Sequence, residues 1–310
     1  MSADGSAQGE SKPRLNAQQI EDISGGYILV DIGANLTNPK YARDLDSVIE
    51  RAKDAGVRKI MVTGSSMQCS KDALRLTRLY PGTLYSTAGI HPHDAKTWTD
   101  ECYEEIKQLA ANPECVAIGE CGLDFNRNFS PPDVQLEVFE KQVQLACEIQ
   151  KPMFLHERDA HEDLARILEK YLDSLPPTVV HCFTGTSAHA KKYIEMGLYI
   201  GLTGFLWKDK SDDGVRSILE KGIVPLDKLL VETDSPFMYP NVRGSKISPK
   251  IKEALTARSL SYLNRYCTFQ RNEPCSLSIT VEIIAAYMGK NADEVATATS
   301  FNAMKLFGLS

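Results

Sequence analysis

Eight short apolar runs divide this chain, and six of them end on, or within a few residues of, a side chain that can bind a metal ion. Runs that are apolar without alternation are typical of strands buried on both faces, as in the parallel sheets of α/β proteins. The segments between them have the apolar spacing of helices. The pattern predicts an α/β fold, a TIM-type (β/α)8 barrel. The eight runs are Tyr27–Ile32, Lys59–Gly64, Leu84–Gly89, Cys115–Glu120, Pro152–His156, Thr178–Phe183, Tyr199–Gly204 and Leu229–Asp234.

The chain is predicted to form one domain over residues 27–308. Of its 310 residues, 43% are hydrophobic, and barrels of about 250 residues fold around a single core. Residues 1–26 are small and polar, which predicts a disordered tail that carries neither a secretory signal nor a membrane span.

Helical segments are predicted between and beyond the strands. Ser130, followed by Pro131 and Pro132, predicts the N-cap of the helix before the fifth strand. After the eighth run, helical spacing over residues 250–266, 276–289 and 292–308 predicts extra C-terminal helices.

Cysteine usage indicates the cellular compartment, and the net charge limits the kinds of partner that the protein can attract. Eight cysteines without a CxxC pair do not form a recognisable disulfide framework, so we expect an intracellular protein, cytoplasmic or nuclear or both, and not a secreted one. The net charge of -6 provides no global attraction to nucleic acid or to a membrane, so a polyanionic substrate needs local cationic groups or a bound cation.

Ligand-type side chains stand at four predicted strand ends: Glu120, His156, His181 and Asp234. All strands of such a barrel point their carboxyl ends at one face, so residues distant in sequence meet in one pocket. Two imidazoles and two carboxylates are a common ligand set for a hydrolytic divalent metal. A single histidine at a strand end is more often structural, but burying four such groups without a cation would be costly.

Two further regions face the same pocket. His91 and His93 follow the third strand and are predicted to bind substrate phosphate or to hydrogen-bond to a metal ligand, with a rigid surface loop as the alternative. On the first strand, Asp31 and Asn35 are the candidates for a second metal position or for supporting hydrogen bonds.

Long motifs at these strand ends resemble the TatD-type metal-dependent deoxyribonucleases, a branch of the amidohydrolase-like barrels. The resemblance extends from Tyr27 to Gly308 and is carried by DIGANLT, STAGIHPHD, IGECGLDFNRNFS, FLHERDAHE, VVHCFTGT, YIGLTG, VETDSPF and QRNEP. It implies a TIM-type barrel with one or two divalent ions that hydrolyses phosphodiester bonds in DNA, often as a 3′ to 5′ exonuclease.

Carried over to this chain, the resemblance makes Glu120 the carboxylate that can bridge two metal ions. His156 and His181 then complete one site, and Asp234 serves the other and is the expected acceptor of the proton from the attacking water. Many relatives have a His-x-His pair where this chain has Gly33-Ala34-Asn35. The second site is therefore expected to be weaker. Mg²⁺ is the expected ion, with Mn²⁺ or Zn²⁺ as alternatives.

Several acidic and basic residues near the strand ends have two possible roles. Glu157, often cysteine in relatives, points away from His156 on a strand and is predicted to be structural or to support a ligand, with a role as a ligand itself as the alternative. Arg158 binds phosphate or pairs with a carboxylate, and the role of Asp124 is equally open. Glu232 points into the barrel as a buried structural acid or a catalytic one.

The expected partner is DNA, with single-stranded ends favoured and RNA possible; the sequence does not identify any protein partner. Trp207 beside two lysines and Arg271 in QRNEP are the candidates for substrate contact, because basic residues around an aromatic ring suit single strands.

Two other classes of function compete with a nuclease. The first is a metal-dependent ester or amide hydrolase, such as an aminoacyl-tRNA deacylase. The second is a binding scaffold without turnover, against which the complete ligand set argues. Among the amide hydrolases, the carboxylated-lysine subclass would need a lysine where this chain has Glu120, which argues against that subclass.

Overall fold

The computed structural model describes residues 26–243 and 247–310, so the predicted polar tail, apart from Gly26, lies outside the described residues. Eight parallel strands pair in chain order from β1 to β8, and helices connect them. The strands are β1 Leu29–Ala34, β2 Val57–Val62, β3 Leu84–Ala88, β4 Cys115–Asp124, β5 Met153–Arg158, β6 Thr178–Val180, β7 Tyr199–Leu202 and β8 Leu229–Val231. The predicted TIM-type barrel is confirmed.

Helices cover the outside of the barrel and its amino-terminal end. They are α1 Leu45–Asp54, α2 Met67–Leu79, α3 Asp100–Ala110, α4 Pro132–Ile149, α5 His161–Glu169, α6 Ser187–Glu195, α7 Val215–Glu220, α8 Pro249–Ala254, α9 Ala257–Tyr266, α10 Leu277–Met288 and α11 Ala292–Phe307. Short 3-10 segments follow some of the strands, among them Pro92–Thr97 after β3 and Gly204–Trp207 after β7. None of the helices in the described ranges combines the length and apolar character needed to cross a bilayer.

Two local helix predictions are wrong. Ser130 does not cap α4, whose N-cap position is Pro131; the Ser130 hydroxyl instead accepts from Lys96 N and donates to His93 O. The helical stretch over 250–266 is two helices, because Thr256 ends the first run and caps α9 by accepting from Ser259 N.

The barrel interior is an apolar core, and the C-terminal helix covers its amino-terminal end. Phe154 and Met61 are fully buried inside the ring of strands. Side chains of α11, including Phe307, and Leu309 after it pack into the same cluster. Burying this apolar surface stabilises the barrel and leaves the opposite, carboxyl-terminal end free for polar residues.

Backbone and side-chain hydrogen bonds join β1 to the segment that follows β8. Asp234 N donates to Gly33 O over 2.8 Å, and Asn35 N donates to Ser235 O over 2.7 Å. Below them, the buried carboxylate of Asp31 accepts from Thr233 N and from the Thr233 hydroxyl. These bonds close the ring of strands at the place where Asp234 must be positioned.

Candidate functional site

One carboxylate oxygen lies at the centre of the site. Oε1 of Glu120 is 2.9 Å from His181 Nε2, 3.1 Å from His156 Nδ1 and 3.2 Å from His91 Nε2. Glu120 lies within β4, which continues four residues beyond the predicted strand end, whereas His181 comes directly after β6. The strand ends therefore bring three imidazoles to one acidic group.

The histidines determine the charge state of Glu120. Burial by itself would raise the pKa of this carboxyl, but His91, His181 and His156 outweigh burial and hold the pKa well below its ordinary range. Burial would likewise lower the pKa of His181, yet Glu120 and Glu232 raise it well above the ordinary value. The positive charge that these carboxylates need can come from protonated imidazoles or from a bound cation.

A second carboxylate orients His156. Nε2 of His156 lies 3.3 Å from Oδ2 of Asp124, while the other ring nitrogen, Nδ1, faces Glu120. The same Oδ2 lies 2.7 Å from His93 Nε2. Burial opposes ionisation of Asp124, but hydrogen bonds from His156 and His93 lower its pKa below the ordinary range. Asp124 is therefore an ionised carboxylate that fixes both rings.

Glu232 orients His181 in the same manner. This fully buried carboxylate lies 3.3 Å from His181 Nδ1 and accepts a hydrogen bond from Cys182 N over 2.6 Å. A side chain at Gly33 would overlap the Glu232 carboxylate, and a Cβ at Gly201 would lie 2.8 Å from it. Glycines on β1 and β7 thus leave room for an acid that supports a histidine.

Asp234 follows β8 and faces the same group of side chains. Asn35 Nδ2 donates to its Oδ1 over 3.0 Å, so the predicted supporting role suits Asn35. Burial is the main cause that raises the pKa of Asp234 to about 8; Glu120 and Glu232 add to the increase, and His181 and Asn35 oppose it. Asp31 contacts Thr233 and Gly33 N instead of a ligand-type residue.

His91 and His93 lie at the rim on the turn after β3. His91 Nδ1 accepts from His93 N over 3.0 Å, and burial lowers the pKa of His91 although Glu120 opposes this shift. The ring of His93 contacts the exposed ring of Phe129 edge to face, with centroids 4.8 Å apart. Phe129 thus presents an unshielded aromatic surface beside the acidic centre.

The donor set fits a divalent metal ion. Ligand atoms of His91, Glu120 and His156 lie within 4.8 Å of one another, and His181 adds a further nitrogen beside Glu120. Imidazole nitrogens and carboxylate oxygens are the ordinary protein ligands of such ions, which take the place of bound protons. His91, predicted only to bind substrate or support a ligand, lies 3.2 Å from Glu120, slightly farther than the predicted ligands His156 and His181 at 3.1 and 2.9 Å.

The predicted substrate contacts are more dispersed. Arg158 is exposed as the last residue of β5, and Trp207 is half-buried at the end of the segment after β7. Arg271 forms ion pairs with Asp44 and with the buried Glu273. The substrate roles of these three residues stay predictions.

Sequence reasoning left two supporting acids undecided and missed Phe129. For Glu232, the available signal was its position two residues before Asp234, which places both side chains on the same face of the predicted last strand. For Asp124, the signal was its position four residues after Glu120, but the apolar run suggested a strand that ended earlier. An exposed phenylalanine in a loop has no periodicity that would reveal it.

Comparison with known proteins agrees with this geometry. A family model described as TatD related DNase matches residues 30–308. A protein of Citrobacter rodentium named 3′-5′ ssDNA/RNA exonuclease TatD is 42% identical over 282 residues, which cover 91% of this chain and 98% of that relative. A protein of the same name from Escherichia coli K12 is 40% identical, with 91% of this chain and 100% of the relative covered.

Solved structures show the same architecture. A TatD homologue from Escherichia coli K12 superposes with a TM-score of 0.76 at 28% identity, covering 91% of this chain and 98% of the other. A TatD family hydrolase from Entamoeba histolytica superposes with a TM-score of 0.78 at 24% identity, covering 92% and 99%. With a family model that matches nearly the whole barrel and relatives above 40% identity, the chain belongs to the TatD-related DNase family.

Proposed function

We propose that this protein is a metal-dependent nuclease that removes nucleotides from the 3′ end of single-stranded DNA and also acts on RNA. The observation that carries the proposal is the meeting of three histidine nitrogens on one oxygen of Glu120 at the open end of the barrel. The relatives named 3′-5′ ssDNA/RNA exonuclease TatD support the choice of bond and substrate.

The residues around Glu120 would hold the ion, and others would act on the substrate. Glu120, His156, His181 and Asp234 are the proposed ligands. When bound, the divalent ion lowers the pKa of a water molecule and polarises a phosphoryl oxygen. Asp234 is the proposed acceptor of the proton of the attacking water. Burial raises its pKa to about 8, so it must first lose its own proton, and a cation bound beside it would favour that loss.

The supporting residues keep this arrangement rigid. Asn35 holds Asp234, Asp124 holds His156, and Glu232 holds His181. Because each contact fixes a ring or carboxylate before substrate arrives, little reorganisation is needed during the reaction. The exposed ring of Phe129 at the rim offers a stacking surface for the terminal base.

Mg²⁺ is the proposed physiological ion. The carboxylates Glu120 and Asp234, together with the phosphate oxygens of the substrate, suit a hard cation, whereas the histidine nitrogens also suit Mn²⁺ or Zn²⁺. The alternative of an ester or amide hydrolase is not favoured, because the similar relatives are named as nucleases.

The test is cleavage of 5′-labelled single-stranded DNA by the purified protein with Mg²⁺, Mn²⁺ or Zn²⁺, and with chelator. A ladder that shortens from the 3′ end is expected with metal and not with chelator. Glu120→Gln and His156→Ala should abolish it, while Glu162→Gln, a change at an exposed glutamate on the outer helix α5, should not.

The same assay with 3′-blocked DNA and with RNA tests the end preference and the sugar tolerance. Internal cleavage of a blocked strand would contradict exonuclease action. Full activity of Glu120→Gln would remove the proposed metal centre from the reaction.

A further inference from the structure

All six histidines of the chain fall into two clusters. Four of them surround Glu120 and Asp124 in the site described above. The other two, His161 and His189, stack face to face with ring centroids 3.9 Å apart and ring planes 10° apart. The reaction at the barrel mouth uses neither of these two rings.

A carboxylate completes this second cluster. Glu157, His161 and His189 each provide one potential ligand atom, and these atoms lie within 4.8 Å of one another. Glu157 follows His156 on β5, so its side chain points to the opposite face of the sheet, toward the surrounding helices. His161 is the first residue of α5, and His189 lies in the first turn of α6. Three separate elements thus converge outside the barrel.

The state of His161 suits a metal ligand. Within the part of the chain that the structure describes, no hydrogen-bond partner reaches its buried Nδ1. Burial is the main cause that lowers the pKa of His161 to about 4, with His189 and Lys192 contributing. A buried imidazole nitrogen without a hydrogen-bond partner has unsatisfied bonding capacity, and coordination of a metal ion would satisfy it.

The other two residues can also provide ligand atoms. Oε1 of Glu157 accepts from Ala160 N over 2.9 Å, and its Oε2 accepts a longer hydrogen bond, 3.4 Å, from the Tyr193 hydroxyl. The side chain of His189 is half-buried, as are those of Glu157 and His161, so an ion can enter from solvent.

We propose that Glu157, His161 and His189 form a second metal site, separate from the barrel mouth, for a borderline divalent ion such as Zn²⁺. Two imidazoles and one carboxylate are a ligand set that leaves a fourth, tetrahedral position to water. The parallel stack does not aim two ring nitrogens at one point, so binding turns one ring about χ2 out of the stack. The ion ties α5 and α6 to β5 directly behind His156.

The test counts Zn²⁺ ions on the untagged full-length protein, by calorimetric titration and by metal analysis after dialysis. The background variant His156→Ala/His181→Ala weakens the barrel-mouth centre, so the signal of the second site can be read alone. We expect one Zn²⁺ equivalent per chain to remain in this background. Adding His189→Ala or Glu157→Gln should remove it, and adding Glu162→Gln, an exposed neighbour on α5, should not.

Circular dichroism establishes that each variant is folded. If the background variant does not fold, the comparison moves to the wild-type protein, where His189→Ala should lower the number of bound Zn²⁺ ions by one. Co²⁺ provides an independent measurement, because a four-coordinate Co²⁺ ion absorbs strongly in the visible range and this absorption should weaken in Glu157→Gln.

Equal numbers of bound Zn²⁺ ions in the wild type, His189→Ala and Glu157→Gln would overturn the second site. So would a folded background variant that binds no Zn²⁺. Zn²⁺ counting and Co²⁺ absorption do not depend on nuclease activity, so failure of the second site is distinguishable from failure of the proposed function.

Discussion

The carboxylate of Asp124 lies 3.3 Å from Nε2 of His156, on the side of the ring opposite Glu120. His156 is therefore held between two acids, one at the centre of the proposed metal site and one behind it. Such an outer carboxylate fixes the ring orientation and makes the facing nitrogen a better ligand.

We expect Asp124→Asn to weaken metal binding by about 10- to 100-fold, the usual effect of removing a partner of a metal-ligating histidine. Activity should recover at high metal concentration, because the ligands themselves remain. The measurement is nuclease rate against metal concentration. Asp133→Asn, at an exposed acid in the first turn of α4, is the matched control. An unchanged metal dependence in Asp124→Asn would mean that this carboxylate does not support the site.

Phe129 should contribute to substrate binding. Its side chain is 54% exposed, and its ring contacts His93 at the rim. Stacking of one base on an aromatic ring is worth ~1–3 kcal/mol, so Phe129→Ala should raise KM for single-stranded DNA about tenfold with little change in kcat. Phe129→Trp should retain a low KM.

The control for this prediction is Phe301→Ala, a comparably exposed phenylalanine on α11 at the closed end of the barrel. Equal KM values for Phe129→Ala and Phe301→Ala would exclude base stacking on Phe129.

Asp31 should make stability depend on pH. Burial is the main cause that raises the pKa of this carboxyl from 3.8 to about 7, although hydrogen bonds from Thr233 and Gly33 oppose the shift. Between these two pH values the folded protein holds a proton that the unfolded chain has lost, so stability falls as pH rises. The full effect, reached above about pH 7, is on the order of 4 kcal/mol at most.

Asp31→Asn should abolish this part of the pH dependence, because an amide can accept from the two backbone N–H groups and contact the Thr233 hydroxyl without ionising. Urea unfolding at pH 5 and pH 8, with chelator present, measures the difference. We expect the stability of the variant relative to the wild type to be greater at pH 8 than at pH 5, because most of the loss in the wild type occurs between these two pH values. An identical pH trend in both proteins would show that Asp31 is already ionised in the folded state at pH 5.

Arg271 forms ion pairs within the protein and should contribute to its stability. Its guanidinium pairs with Asp44 and with the buried carboxylate of Glu273, which Arg51 also binds over 2.9 Å. Arg271→Ala removes one of two cations from a buried acid. Because Arg51 still pairs with Glu273, the free energy of unfolding should fall by less than the ~3 kcal/mol expected for an unpaired buried acid. Chemical unfolding and KM for single-stranded DNA, measured on the same variant, separate this role from substrate contact. A raised KM with unchanged stability would favour the predicted contact with DNA.

The ligand-type residues at the strand ends could be predicted because the order and direction of the strands are enough to bring them together, without knowledge of side-chain packing. Once the apolar runs are parallel strands of a barrel, Glu120, His156, His181 and Asp234 must come to the same end. Local errors such as the misplaced N-cap at Ser130 do not affect this, since a helix boundary can shift without moving the strand end that follows.

The supporting contacts depend on partners distant in the chain. Strand β4 continues to Asp124 because that residue pairs with Arg158 of β5, and an apolar run cannot reveal a hydrogen-bond ladder to another strand. Glu232 reaches His181 only because glycines on two neighbouring strands leave space for it. Glu273 also pairs with Arg51, which α1 supplies from a distant part of the chain.

The two histidine clusters show the same division between local pattern and tertiary structure. Apolar periodicity is a local property of the chain, so it specified the strands, the order of the barrel and the end at which polar residues gather. Whether His189 on an outer helix meets His161 and Glu157, or only solvent, depends on how α5 and α6 pack against β5. That packing is a sum of many weak contacts between distant segments, so only the tertiary structure decided it.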